Sequence, residues 1–445
     1  MALVRPPLTA PGVYLQEVPS GVRTIVGVAT SVTVFLGRTA SGPVNEPVSI
    51  SSFEEFERIF GELNSSYPVS YAVNDFYLNG GSQALILRLF KDSAHATPAS
   101  IDAAQGATPA VALTLVASSP GSWGKFLSYE TDKTGITDAV KARYGNRDVP
   151  KPDLFNLRIR HDLGNNRVET ESFTNLSTDP KVGARYVGVV LEQTSRLARY
   201  VPPAAGGATG NTGGTGTAAG AGAAGADSAL LTVATDYHDA LEALAKVDLF
   251  NLVCIPPDSL ESGDVPAGTL TEAGNLCASK KAVLIVDPPT SWVSPDKIDP
   301  TKFAADIGIN PAADQARYAA LYYPRVVTSD PISGKELVRT ASGMLAGVIA
   351  KTDARRGVWK APAGYEAGLS GATDLAFTLS DSENGTLNQQ GVNCLRSFTG
   401  VGPIVWGART IAGSDILADD FKYLPVRRLT NFIEQTLLRQ TRWAV

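Results

Sequence analysis

Cysteine and histidine are the scarcest reactive residues in this 445-residue chain, with three of each. Cys254, Cys277 and Cys394 lie far apart, and two of them sit inside apolar runs. That spacing argues against a disulfide framework or a zinc site and suits a reducing cytoplasm. His95, His161 and His238 are equally scattered, so neither metal nor acid–base chemistry finds a supporting pattern. Long hydrophobic runs are missing too. "AVLIV" (Ala282–Val286) is strand-sized and far too short to span a bilayer. The opening "MALVRPPLTAPG" places prolines where a signal peptide needs its apolar stretch. A net charge of −5 is small for this length, so nothing global points to nucleic acid or a membrane surface as partner.

Hydrophobic residues make up 44% of the chain, enough to fill the cores of about two to four domains. "PGVYLQEVPSG" (Pro11–Gly21) reads as one isolated strand bounded by turn residues, which must pair with its own subunit or another. "TVFLG" and "ALILRL" are buried-strand patterns. Between them "SSFEEFERIFG" and "SYAVNDFYLNGG" read as helices, the first with a Ser52–Glu55 capping box. From about 97 to 200 the pattern becomes short β-like runs, "VALTLVAS", "LFNLRIRH" and "YVGVVLE". A Gly/Ala/Thr-rich tract at 202–226 follows, with the composition of a mobile loop. Strand–helix alternation then returns. Helices are predicted over "YHDALEALAKV", Ala267–Lys280 and Ala312–Tyr322, and strands over Leu249–Ile255, "AVLIV" and "RVVTSD". The predicted fold class is an α/β core, mostly parallel sheet with helices and discontinuous in sequence. It carries a β-rich insertion domain and an extended N-terminal arm strand. The boundaries are 1–22 for the arm, 23–96 and 236–445 for the two parts of the core, and 97–235 for the insertion.

Chemistry-bearing motifs are weak. "GAGAAG" (Gly220–Gly225) matches a dinucleotide fingerprint only within low-complexity sequence, with no strand before it, so no cofactor is expected. Ser342, His238 and Asp287 could be imagined as a hydrolase triad, but the nucleophile elbow is missing, and Ser342 reads as a helix N-cap. Trp359 and Trp406 each stand among glycines and cations. They fit either a tight packing corner or a self-association surface. The last segment is an amphipathic helix with Leu429, Phe432, Ile433 and Leu437 on one side. Its other side carries Arg428, Asn431, Gln435, Arg439 and Arg442.

In this order, "PGVYLQEVPSG", "VTVFLGRTASGPVNEPVSISSFEEFERIFG", "YAVNDFYLNGGSQALILRL", "AVLIVDPP", "ASGMLAGVIAKTDARRGVWKAPAG", "LNQQGVNCLRSFTGVGPIVWGART" and "YLPVRRLTNFIEQTLLRQTRWAV" resemble the contractile tail sheath family of phage tails, R-type bacteriocins and related injection systems. The resemblance implies a structural protein, not an enzyme, with no cofactor and no metal. Its partners would be further copies of itself in stacked six-fold rings, an inner tube protein, and baseplate and tail terminator proteins. Neither nucleic acid nor a membrane would be contacted directly. Such a subunit would assemble in the bacterial cytoplasm and end in a tail or tail-like particle. The resemblance assigns Val13, Tyr14, Leu15, Gln16, Glu17 and Val18 to an inter-subunit arm strand. It also makes the final helix tube-facing, so that Arg428, Arg439 and Arg442 would meet an acidic stripe; the plain alternative is a solvated helix face. Family members run on past the point matching "TRWAV" (Thr441–Val445), so a shortened or divergent member, a longer parent chain, or a non-contracting cap are the competing expectations. An α/β hydrolase is the remote one. The layout predicts that limited proteolysis cuts first within 202–226; first cleavage in 330–440 would contradict it.

Overall fold

Val34, Phe35 and Leu36 are consecutive in strand β1 (Thr33–Arg38) and all fully buried. Successive strand residues face opposite ways, so β1 must have packed material on both faces. In the computed structural model, which describes residues 25–91, 100–103, 113–164, 166–202, 214–218, 225–260, 263–415 and 418–442, it does. The first part of the core adds β2 (Val48–Ile50), α1 (Phe53–Phe60), α2 (Pro68–Leu78) and β3 (Ala84–Leu89). The insertion holds β4 (Ser100–Ala103), β5 (Thr114–Ala117), β6 (Leu127–Asp132), α3 (Asp138–Tyr144), β7 (Phe155–Gly164), β8 (Arg167–Leu176), α4 (Val187–Thr194), β9 (Ala198–Val201) and β10 (Gly214–Ala218).

The chain then returns to the core with α5 (Thr235–Ala245), β11 (Leu252–Cys254), α6 (Ala267–Lys280), β12 (Val283–Val286), the one-turn α7 (Phe303–Asp306) and β13 (Ala319–Tyr323). Next come β14 (Val326–Ser329), β15 (Glu336–Arg339), α8 (Ser342–Arg356), β16 (Ala372–Leu375), α9 (Asp381–Gln389), β17 (Val392–Phe398), β18 (Gly402–Val405) and α10 (Leu424–Gln440).

The core sheet has the order β18-β17-β13-β12-β11-β1-β3-β2. Its six inner strands, β17 to β3, are parallel to their neighbours, and the two edge strands run antiparallel. One face packs Val34, Leu36, Val253, Leu284 and Leu321 against α5 and α6. The other packs Phe35, Ile86, Cys254, Ile285 and Tyr322 against α2 and α8. This is the mostly parallel core that the strand–helix alternation predicts. The insertion forms a seven-stranded antiparallel sheet, β8-β7-β6-β10-β4-β5-β9, with its own core around Leu115, Leu127, Ile159 and Leu191. Arg88, fully buried, ties the two units together. Its guanidinium donates to the carbonyls of Thr39 (3.2 Å), Gly42 (2.6 Å) and, in the insertion, Pro120 (2.7 Å).

Three local expectations fail for identifiable reasons. "YVGVVLE" is helix α4, because Val187 and Leu191, one turn apart, both bury against the insertion sheet and override the strand preference of valine. The Ala312–Tyr322 helix is absent: a short 3-10 turn at Asp314–Tyr318 gives way to β13, which supplies the strand between β12 and β17. Within the glycine-rich tract, Gly214–Ala218 is a strand inserted between β6 and β4, since ladder bonds need only main chain. The predicted arm at Val13–Val18 lies outside the described residues.

The ion pair that joins α2 to the small sheet β15-β14-β16 is buried on both sides. Arg339 Nη2 donates to Asp75 Oδ1 at 2.9 Å, and its Nε donates to Thr328 Oγ1 at 2.9 Å. Removing one partner strands a charge in a dry site, at about 3–5 kcal/mol. Asp75→Ala is expected to lower unfolding stability by that amount, and the double change Asp75→Leu with Arg339→Met to recover most of it, read from denaturant midpoints.

Candidate assembly surface

In open α/β sheets a ligand crevice forms at the carboxyl ends of the strands where the strand order reverses. Here that point lies between β1 and β11, and an ion pair closes it. Arg38 Nε reaches both carboxylate oxygens of Asp258 at 2.7 Å, while its Nη groups donate to the carbonyls of Ser228 (3.0 Å) and Ser66 (3.1 Å). Asp258 also accepts from the Leu231 amide at 2.7 Å. The crevice is filled by the protein itself.

The imagined triad does not assemble. Asp287 Oδ1 accepts from the backbone amides of Ala341 (3.1 Å) and Ser342 (3.0 Å) and so caps α8. The cap is therefore Asp287, from the end of β12, rather than Ser342, which is the first helical residue and is buried. His238 sits exposed on α5, its Nδ1 2.8 Å from Glu272 and its Nε2 3.4 Å from Glu242. Glu272 holds the His238 imidazolium and raises its pKa. Cys254, Cys277 and Cys394 are free and buried, and burial pushes each thiol up. Among the described residues no group of His, Cys, Asp or Glu could hold a metal ion, and no helix is long and apolar enough to cross a membrane. Most of the Gly220–Gly225 motif lies outside the described residues.

Helix α10 is oriented opposite to the expected sense: its polar stripe points inward. Arg428 is buried, with Nη1 2.8 Å and Nη2 2.6 Å from the two carboxylate oxygens of Asp353 on α8. Asn431 is buried and accepts from Arg427 Nε at 2.8 Å. Gln435 Nε2 donates to the Lys280 carbonyl at 2.8 Å. Arg439 bonds both the side chain and the carbonyl of Asp248. These four are thus engaged within their own subunit, which corrects the outward arginine stripe; only Arg442 of the set is exposed. The acids and carbonyls that attract them lie up to about two hundred positions away, so no local pattern announces them. Arg427, absent from the predicted stripe, is buried over the rings of Phe421 (4.2 Å) and Tyr318 (4.6 Å). The outward face is instead apolar: Tyr423, Val426, Ile433, Leu437 and Leu438 are all exposed, Leu438 by 62%.

Residues 25–32 lie along this helix. Gly27 fits against the Phe432 ring, where an added Cβ would sit 2.8 Å from Cζ. The Val28 amide donates to Thr436 Oγ1 at 3.4 Å, and the Thr30 carbonyl accepts from Arg428 Nη2 at 2.9 Å. Ile25 and Val26 are exposed beside it. Of the two tryptophans, Trp406 is partly buried in a ring cluster with Phe398 (4.9 Å) and Tyr365 (5.7 Å). Trp359 folds over Gly357 and is 64% exposed.

The structure thus combines a three-layered α/β core whose crevice holds an ion pair, an antiparallel insertion and a helix with an apolar outward face. Residues 232–411 match the family described as phage tail sheath protein central domain. The tail sheath protein of Burkholderia phage BcepMu is 24% identical over 417 residues, covering 90% of this chain and 74% of that one. The fold is similar to the sheath tail protein of Listeria innocua (TM-score 0.59, 15% identity, 95% of this chain and 79% of that one). It is also similar to the sheath of an extracellular contractile injection system in its contracted state (TM-score 0.51, 18% identity, 98% and 75%). The chain is thus similar to tail sheath proteins in sequence and in fold, and the relatives it matches are structural proteins.

Burial raises the Asp287 carboxyl from 3.8 to about 6. The folded state therefore binds this proton more tightly than the unfolded chain, and the associated stability is full below about pH 4 and lost as pH rises through about 6. Wild type is expected to lose up to about 3 kcal/mol relative to Asp287→Asn between pH 4 and 7, at about 1.4 kcal/mol per pH unit. Parallel denaturation curves for the two proteins across that range would refute the assignment.

Proposed function

We propose that the chain is the repeating subunit of a contractile tail sheath, which polymerises as stacked six-fold rings around an inner tube and shortens to drive that tube through a target envelope. Besides further copies, its partners are the tube, the baseplate and the tail terminator proteins. The assembled particle is a phage tail or a tail-like device built in the bacterial cytoplasm. The observation that supports this most directly is the outward apolar face of α10, a surface without use in a monomer. In this reading Val13–Val18 pairs as an added strand with a neighbouring subunit, main-chain bonds holding the lattice while subunits turn. A head-to-tail contact that does not close produces a helix of unlimited length. An extended lattice trapped behind a barrier needs no nucleotide to fire.

In this reading the tube contact is apolar rather than ionic. With Arg428 and Arg439 spent on Asp353 and Asp248, α10 offers Ile433, Leu437 and Leu438, with Arg442 at its end. Burying an exposed leucine or isoleucine contributes about 1.5–3 kcal/mol, against about 0–1 for an exposed ion pair. Apolar contact should therefore dominate. Leu437→Glu with Leu438→Glu is expected to prevent co-assembly with the inner tube protein in pelleting and negative-stain assays. Raising ionic strength to about 1 M, where the Debye length is about 3 Å, should leave wild-type co-assembly intact. Normal assembly of the double variant, or loss of wild-type assembly in salt, would contradict this mode.

A further inference from the structure

The segment over α10 is held in an unusual way. Residues 25–31 have no regular secondary structure, and Ile25, Val26, Gly27 and Ala29 are exposed. Among the described residues its contacts with α10 include Gly27 on the Phe432 ring, the Val28 amide on Thr436 Oγ1, and the Thr30 carbonyl on Arg428. Immediately beyond, the attachment becomes firm. The Val32 amide donates to Asn251 Oδ1 at 2.9 Å, the Val32 carbonyl accepts from the Asn251 amide at 2.9 Å, and Val32 is buried at the start of the core.

Arg428 makes the arrangement reversible. Its charge is neutralised by Asp353 through two bonds, and Thr30 supplies only a further acceptor. Lifting the segment leaves no buried cation unpaired, while the Val28 amide and Thr30 carbonyl return to water. Beneath it lies a cavity of about 10 Å³ lined by Thr30, Asn251, Val358, Asn431 and Phe432 among others. Among the described residues the Asn431 Nδ2 donor, on a buried side chain, has no hydrogen-bond partner.

We infer that residues 25–31 form a releasable strap on α10, hinged at Val32, and that the strap couples tension on the N-terminal arm to the helix that meets the inner tube. The coupling rests on the sheath reading above; the strap does not. When a neighbour holding the arm turns, the strap lifts before any core strand is disturbed. Its release uncovers Phe432 and Thr436, so the surface that α10 presents differs between the two positions.

Two experiments test this on the full chain. In hydrogen exchange of the purified protein, the amides of Val28–Ser31 should exchange at least about tenfold faster than those of Phe35 and Leu36. Gly27→Val should quicken them further, with α8 unchanged. Strap amides as protected as β1 would overturn the strap. In assembled tubes, cysteines replacing Val28 and Thr436 should form a disulfide that leaves tube length unchanged and lowers the fraction that shortens on acid or urea treatment about tenfold, with recovery on reduction. Oxidised tubes that shorten as fully as reduced ones would overturn the coupling. Tubes that shorten in neither state would count against the sheath reading and, with it, the coupling, while the exchange result still decides the strap.

Discussion

A guanidinium removed from water needs a carboxylate and further acceptors, and the bond between Arg428 and Asp353 meets that need while fixing the polarity of α10. Once Arg428 is drawn inward, helical spacing carries Asn431, Gln435 and Arg439 to the same side, where the Lys280 carbonyl and Asp248 receive the last two. The apolar residues between them have no remaining direction but outward. A helix that looks like an ordinary amphipathic surface element is thus set with its polar stripe against the core. Its exposed face follows from one buried ion pair.

The same interaction places the N-terminal segment. Arg428 has a donor left after Asp353, and the Thr30 carbonyl takes it. The two ends of the described chain are therefore packed on one another. Elsewhere buried arginines do comparable structural work. Arg38 fills the crevice that a doubly wound sheet would otherwise leave for a ligand, and Arg88 clamps the insertion to the core through carbonyls alone.

Much of the core was legible in the residues. Fully apolar stretches such as Thr33–Gly37 and Val283–Val286 carry the signature of strands buried on both faces, and Ala267–Lys280 has the predicted helical limits. What was not legible depended on distant partners. The Tyr186–Glu192 run is helical only because the insertion sheet buries Val187 and Leu191. Ser52 does cap α1, but Glu55 turns to the amide and hydroxyl of Ser51, and the complete capping box lies at Ser380 and Glu383 on α9. For α10 the periodicity gave the two stripes correctly and their direction wrongly, since an arginine stripe reads as solvent-facing until Asp353 and Asp248 are brought to it by the fold.

The central claim is that this subunit acts by polymerising around an inner cylinder, with the outward face of α10 turned toward it. The most direct measurement is a cryo-EM reconstruction of the full chain assembled with its inner tube protein. The account predicts a helical sheath of stacked rings in which Ile433, Leu437 and Leu438 are covered by the tube. A chain that stays monomeric in the presence of the tube, or a sheath whose inner wall is formed by another element while α10 faces solvent, would contradict it.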